Sequence, residues 1–211
     1  MGTLHIHLRI KIMFTIPDIH SALEPIVCWS GAFTDEDIAE IIKIGDNLEF
    51  QQAKVGNLGP GTEEIAVRKS SVSWIHPDDQ SKWLFNKMAE VVARVNTDKF
   101  QFDLSHIDAF QYTTYTKGGY YKWHIDGAVK DTFGPGHRKL GVSVVLSDPD
   151  TEFTGGEFQI IPSGNPDQIN STTVKKGDVL MFPAFVPHQV TEVLSGKRKS
   201  LVCWVLGPKF K

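Results

Sequence analysis

The stretch Tyr115-Thr-Lys-Gly-Gly-Tyr-Tyr121-Lys-Trp-His124-Ile-Asp126 decides how the second half of the chain is read. After the Lys117-Gly-Gly turn signal, Tyr120 to Ile125 has the aromatic, β-branched composition of a strand. Residues i and i+2 of a strand point to the same side, so the imidazole of His124 and the carboxylate of Asp126 are expected to converge. Such a pair is weak evidence alone, because solvated strands also carry it. Working outward, further strands are expected near 107–115, 140–146, 157–161, 178–182, 189–193 and 200–206. The breaks between them are Phe133-Gly-Pro-Gly, Asp148-Pro-Asp, Gly155-Gly, Pro162-Ser-Gly-Asn-Pro, Lys176-Gly and Ser195-Gly. Short strands at this spacing imply a barrel or a two-sheet jelly roll.

Upstream the texture is helical. Thr34 is a plausible N-cap before Asp35, Glu36 and Asp37, with Ile38, Ile41 and Ile42 as the buried stripe and Gly45 as the stop. A second helix is expected from near Pro77-Asp78 to about Asn96, carrying Leu84, Met88, Val91, Val92 and Val95 on one face. Positions 68–75 read as a strand, and Leu4 to Ile12 alternates as a half-buried strand should. There His5 and His7 share a face, which reads as solvated rather than metal-binding. Two irregular segments, 51–64 and 127–139, are either lids or passive loops. Helices first and strands afterwards give an α+β fold, a roll with N-terminal helices packed outside. The chain is expected to be a single domain, 1–211, with its roll core at about 107–206.

Composition narrows the function classes. Among 211 residues, 22 are basic and 25 acidic, a net charge of −3, which disfavours a nucleic-acid partner. The longest strictly apolar run, Leu201 to Leu206, is far too short to span a bilayer, so no membrane partner is expected. Cys28 and Cys203 are too few for a disulfide scaffold and lack metal-ligand spacing. A soluble, cytoplasmic protein is expected, as monomer or homodimer.

A second candidate ligand is His188, at the mouth of another expected strand. Two histidines and one carboxylate from separate strands make the facial set typical of non-haem Fe(II), which leaves three adjacent positions open. Zinc accepts the same ligand types. Arg198 follows His188 by ten positions, Ser200 comes two later, and Tyr115 and Tyr121 precede His124 by nine and three. A guanidinium recognises a carboxylate bidentately. Iron with one aspartate keeps one net positive charge, so a dicarboxylate with one end on the metal needs a cation for its far end.

The opening stretch resembles the YxxGxxYxxHxD motif of prolyl 4-hydroxylase-like Fe(II)/2-oxoglutarate dioxygenases. Three further segments resemble the bacterial PKHD-type hydroxylase branch: Leu146-Ser-Asp-Pro-Asp-Thr-Glu-Phe-Thr-Gly-Gly-Glu-Phe158, Lys176-Gly-Asp-Val-Leu-Met-Phe-Pro183 and His188-Gln-Val-Thr-Glu-Val-Leu-Ser-Gly-Lys-Arg198. The resemblance covers about 107–206, with a vaguer match over the helices and Arg68-Lys-Ser-Ser-Val-Ser-Trp74. It implies a double-stranded β-helix with iron at one open end, held by His124, Asp126 and His188. It assigns the far carboxylate of 2-oxoglutarate to Arg198 and Ser200, with Tyr115 reaching the same co-substrate. Two departures stand out: Glu192 occupies a usual proline position, and any C-terminal extension found in PKHD-type relatives is expected to be missing.

The implied activity is hydroxylation of an unactivated C–H bond, with Fe(II), 2-oxoglutarate and O2 consumed to give succinate and CO2. Ascorbate is the expected reductant. A proline-containing peptide or protein is the leading substrate, ahead of a free amino acid or small molecule. The rival class is a zinc-binding jelly-roll protein without oxygenase activity, which would have no use for a 2-oxoglutarate clamp.

Overall fold

A computed structural model describes residues 23–53, 67–127, 136–149, 151–163 and 165–209. The expected strand at Leu4 to Ile12 with its His5/His7 pair, and most of both irregular segments, lie outside these residues.

The strands are β1 (Val27–Trp29), β2 (Gln51–Gln52), β3 (Arg68–Lys69), β4 (Ser71–Ile75), β5 (His106–Ile107), β6 (Phe110–Thr116), β7 (Tyr120–His124), β8 (His137–Val145), β9 (Phe153–Gly155), β10 (Phe158–Ile160), β11 (Asn170–Thr172), β12 (Val179–Pro183), β13 (His188–Val190) and β14 (Val193–Gly207). The helices are α1 (Asp35–Asp46) and α2 (Lys82–Val95), the latter continued by a π-helical turn, Asn96–Phe100. A nine-stranded sheet runs β1-β12-β8-β14-β6-β4-β2, with β5 and β9 added on β14. A five-stranded sheet runs β11-β10-β13-β7-β3. The two face each other as the halves of a double-stranded β-helix.

Alternation along β14 shows how the layers form. Leu201, Cys203 and Val205 join Tyr112, Val142, Val144 and Met181 in the core beneath α1 and α2. Arg198, Ser200, Val202 and Trp204 take the opposite side, into the roll. The roll's own apolar lining is Tyr115, Phe153, Phe158, Ile160, Leu180, Phe182, Val186, Val190 and Val193. Helices therefore pack outside, and the interior of the roll, apolar apart from the few polar groups placed in it, is left for chemistry.

Thr34 caps α1 in a full capping box: its Oγ1 accepts from Asp37 N at 3.2 Å, and Asp37 Oδ2 accepts from Thr34 N at 2.8 Å. Gly45 is not the stop that the sequence suggested. The helix runs through it to an Asn47 cap, and Gly45 is small because a Cβ there would stand 2.5 Å from the Tyr112 ring. The second helix starts later than Pro77-Asp78, because Asp78 Oδ1 holds a turn by accepting from Gln80 N and Ser81 N. The expected strand at 68–75 is split. Arg68–Lys69 pairs with β7 in one sheet and Ser71–Ile75 with β6 in the other, so the chain changes sheets at Ser70.

Candidate active site

His124 is the last residue of β7 and His188 the first of β13, and the two are direct partners in the sheet register. Their rings lie 4.1 Å apart between centroids. Each ring donates from Nδ1 to the backbone carbonyl two residues earlier: His124 to Lys122 O at 2.8 Å, His188 to Val186 O at 2.9 Å. That bond fixes the tautomer and leaves each Nε2 lone pair facing inward, the arrangement metal-binding histidines adopt.

Asp126 reaches the same point by a different route from that expected. The strand ends at His124, and the next turn is held by Ala184 O, which accepts from Asp126 N at 2.9 Å and from Gly127 N at 2.8 Å. Asp126 Oδ1 lies 3.9 Å from His124 Nε2, and Oδ2 lies 3.7 Å from His188 Nε2. One ligand atom from each residue lies within 4.8 Å of the others, the only such cluster found among the described residues. Burial, then the neighbouring His188, pulls the His124 pKa down to about 3, so this imidazole is neutral and able to ligate at ordinary pH. Gly141 completes the cradle, since a Cβ there would meet Asp126 Oδ2 and the Phe182 ring at 2.5 Å. These residues fit a divalent ion with an open face.

Arg198 is 4% exposed and pairs in register with Tyr115, with its guanidinium carbon 5.5 Å from the Tyr115 ring centroid. Its Nη1 donates to Ser200 Oγ at 3.3 Å, and no carboxylate of the described residues pairs with it. Burial lowers its pKa, but a guanidinium stays protonated. A buried cation of this kind calls for an anion. Gly156 makes room for it, as a Cβ there would meet Arg198 Cδ at 2.9 Å. Lys199, the neighbouring cation, faces outward onto Asp46 at 2.7 Å.

Tyr121 lies in the site rather than against the far sheet. Its ring stacks on His124 at 3.5 Å and 14°, and burial pushes its pKa up to about 12. Four interior residues were not singled out by spacing: Arg68, Gln111, Arg138 and Gly141. Arg68 was legible only as part of the vaguer match at 68–74. The Arg138 guanidinium lies 3.8 Å over the Trp204 ring, and the indole Nε1 of Trp204 has no hydrogen-bond partner among the described residues.

Residues 110–206 match the 2OG-Fe(II) oxygenase superfamily model. The chain is 23% identical to a PKHD-type hydroxylase of Idiomarina loihiensis over 175 residues, 78% of this chain and 77% of that protein. It is 31% identical to the PKHD-type hydroxylase PiuC of Pseudomonas aeruginosa over 96 residues, covering 44% of this chain and 41% of that one. In fold it is similar to a Pseudomonas putida prolyl-4-hydroxylase, with TM-score 0.68, 17% identity and 88% and 94% of the two chains covered. The viral collagen prolyl hydroxylase of Paramecium Bursaria Chlorella virus-1 gives 0.64, 19%, 87% and 97%. Among the described residues no helix is long and apolar enough to cross a membrane.

Proposed function

We propose that this chain, a prolyl 4-hydroxylase-like 2OG-Fe(II) oxygenase, hydroxylates proline in a peptide or protein substrate, as a single cytoplasmic domain spanning 1–211. The observation that carries the co-substrate assignment is Arg198: a buried guanidinium without a carboxylate, inside the same roll as an inward-facing His-Asp-His cluster. His124, Asp126 and His188 would hold Fe(II). The chemistry it would supply there consumes O2: one oxygen atom would enter succinate as 2-oxoglutarate loses CO2, and the other would be inserted into a substrate C–H bond. Arg198 would pair with the far carboxylate, Ser200 would fix the fork, and Tyr115 would close over the same co-substrate. The apolar lining of Leu180, Phe182, Val190 and Phe158 keeps water out, which strengthens each of these contacts. Ascorbate would serve as reductant, and the −3 net charge favours neither nucleic acid nor an anionic membrane surface.

The likeness to PKHD-type hydroxylases supports hydroxylation, and the prolyl hydroxylases among the structural neighbours motivate proline as target. The test is incubation with Fe(II), 2-oxoglutarate, ascorbate and a panel of proline-containing peptides, measuring succinate and product mass together. A peptide that gains one oxygen atom per succinate formed is the expected result. Succinate without any oxidised peptide would move the substrate to a free amino acid or small molecule.

A further inference from the structure

Arg68 is a second buried guanidinium that enters the roll from the opposite sheet. It is 5% exposed, on β3, in register with Tyr121 of β7. Its Nη2 donates to Gln111 Oε1 at 2.7 Å, its Nε donates to Ser70 Oγ at 2.8 Å, and its carbon lies 4.6 Å over the Tyr121 ring. No carboxylate among the described residues pairs with it. Gln111 Oε1 also accepts from Thr113 Oγ1 at 3.3 Å, so its amide is oriented with the NH2 group left to donate. Beside Gln111 in register is Trp74, whose ring lies 6.3 Å from that of Trp204. Trp204 is buried, on the same face of β14 as Arg198 and roughly 20 Å further along the strand, and its Nε1–H has no acceptor among the described residues.

This wall therefore presents donors only: the remaining Arg68 N–H groups, the Gln111 amide and the Trp204 indole. A buried donor without an acceptor is costly, and a buried cation without an anion more so. The charges already assigned leave a surplus here. The dianion 2-oxoglutarate balances the one net charge on an aspartate-bound Fe(II) plus that of Arg198. Arg68 is then uncompensated, one aromatic ring away from His124.

We propose that the Arg68–Gln111–Trp204 wall binds a carboxylate of the substrate, so that the molecule oxidised is an acid rather than a neutral peptide segment. This rests on 2-oxoglutarate occupying Arg198. The carboxylate can be the α-carboxylate of a C-terminal residue, or an acidic side chain beside the oxidised one. Both meet the wall with the same bidentate chemistry.

The test uses Mn(II)-loaded, 2-oxoglutarate-bound protein, with calorimetry and tryptophan fluorescence as readouts. The probes are N-acetylproline, N-acetyl-aspartyl-prolinamide and N-acetylprolinamide, which carry an α-carboxylate, a side-chain carboxylate and none. At least one acid should bind tenfold or more tighter than N-acetylprolinamide, and which acid does so identifies the source. Arg68→Gln should bring that ratio within twofold while 2-oxoglutarate affinity changes by less than twofold. Arg68→Lys should keep part of the preference, and Trp204→Phe, which removes the N–H donor together with part of the ring, should weaken it by a smaller factor. Equal binding of all three probes, including none, overturns the inference. So does a large loss of 2-oxoglutarate affinity in Arg68→Gln, which would assign this arginine to the co-substrate. Failure of the wild type to bind 2-oxoglutarate overturns this inference together with the proposed function.

Discussion

Asp126 Oδ2 occupies the space that a side chain at position 141 would need, at 2.5 Å from an ideal Cβ, so glycine there shapes the candidate metal site without touching the metal. Gly141→Ala is expected to lower Mn(II) or Fe(II) affinity by about 10–100-fold, as loss of a ligand's supporting contacts does. Metal titration of the folded variant checks this; unchanged affinity would contradict a role for Gly141 in positioning Asp126. Arg198→Ala should retain metal and lose 2-oxoglutarate, because an anion buried without its partner costs about 3–5 kcal/mol, a loss of at least 100-fold in affinity. Arg198→Lys should be milder. Titration itself offers a third check. His124 has its pKa lowered from 6.5 to about 3 in the fold, so below pH 6.5 the unfolded chain takes up a proton that the folded one refuses. Its contribution to the stability of the metal-free protein is present above pH 6.5 and is lost as pH falls from there toward 3. Urea midpoints should therefore fall over that range in the wild type, and less steeply in His124→Ala.

The elements differ in how openly the sequence declares them. α1 was legible at its start, because Thr34 and the acidic first turn act on groups three residues away. Its end was not, since Gly45 is a packing glycine whose neighbour, Tyr112, is 67 positions distant. Gly45→Ala should cost about 1–3 kcal/mol through overpacking against that ring, and Thr34→Ala about 1 kcal/mol through loss of the cap. Thermal or urea unfolding would rank the two, and equal small effects would contradict the packing role. The β7, β12 and β13 segments and the His124, Asp126, His188, Arg198 constellation could be read from offsets, because short strands and tight turns fix positions locally. Arg68 could not be assigned a place in this way. It enters the site only because the chain changes sheets at Ser70, and nothing local to 68–75 reports that crossing. Asp126 was legible as a candidate ligand, but its aim comes from the carbonyl of Ala184 rather than from strand alternation.

At the scale of the whole molecule, α1 and α2 seal the outer face of the larger sheet and the inner faces enclose the interior of the roll. Along β14, one row of alternate residues carries Arg198 and Ser200 at one end and Trp204 at the other, with the His-Asp-His cluster lying across it. On the proposed reading, that layout would give co-substrate and substrate separate walls around one centre. The central claim is that this centre binds Fe(II) and 2-oxoglutarate together, and anaerobic absorption spectroscopy tests it directly. Protein with Fe(II) should develop a weak visible charge-transfer band as 2-oxoglutarate is added. The band should saturate at one equivalent, be absent in His188→Ala, and need far more 2-oxoglutarate in Arg198→Ala. No band in the wild type, or an equally strong one in His188→Ala, would contradict the account.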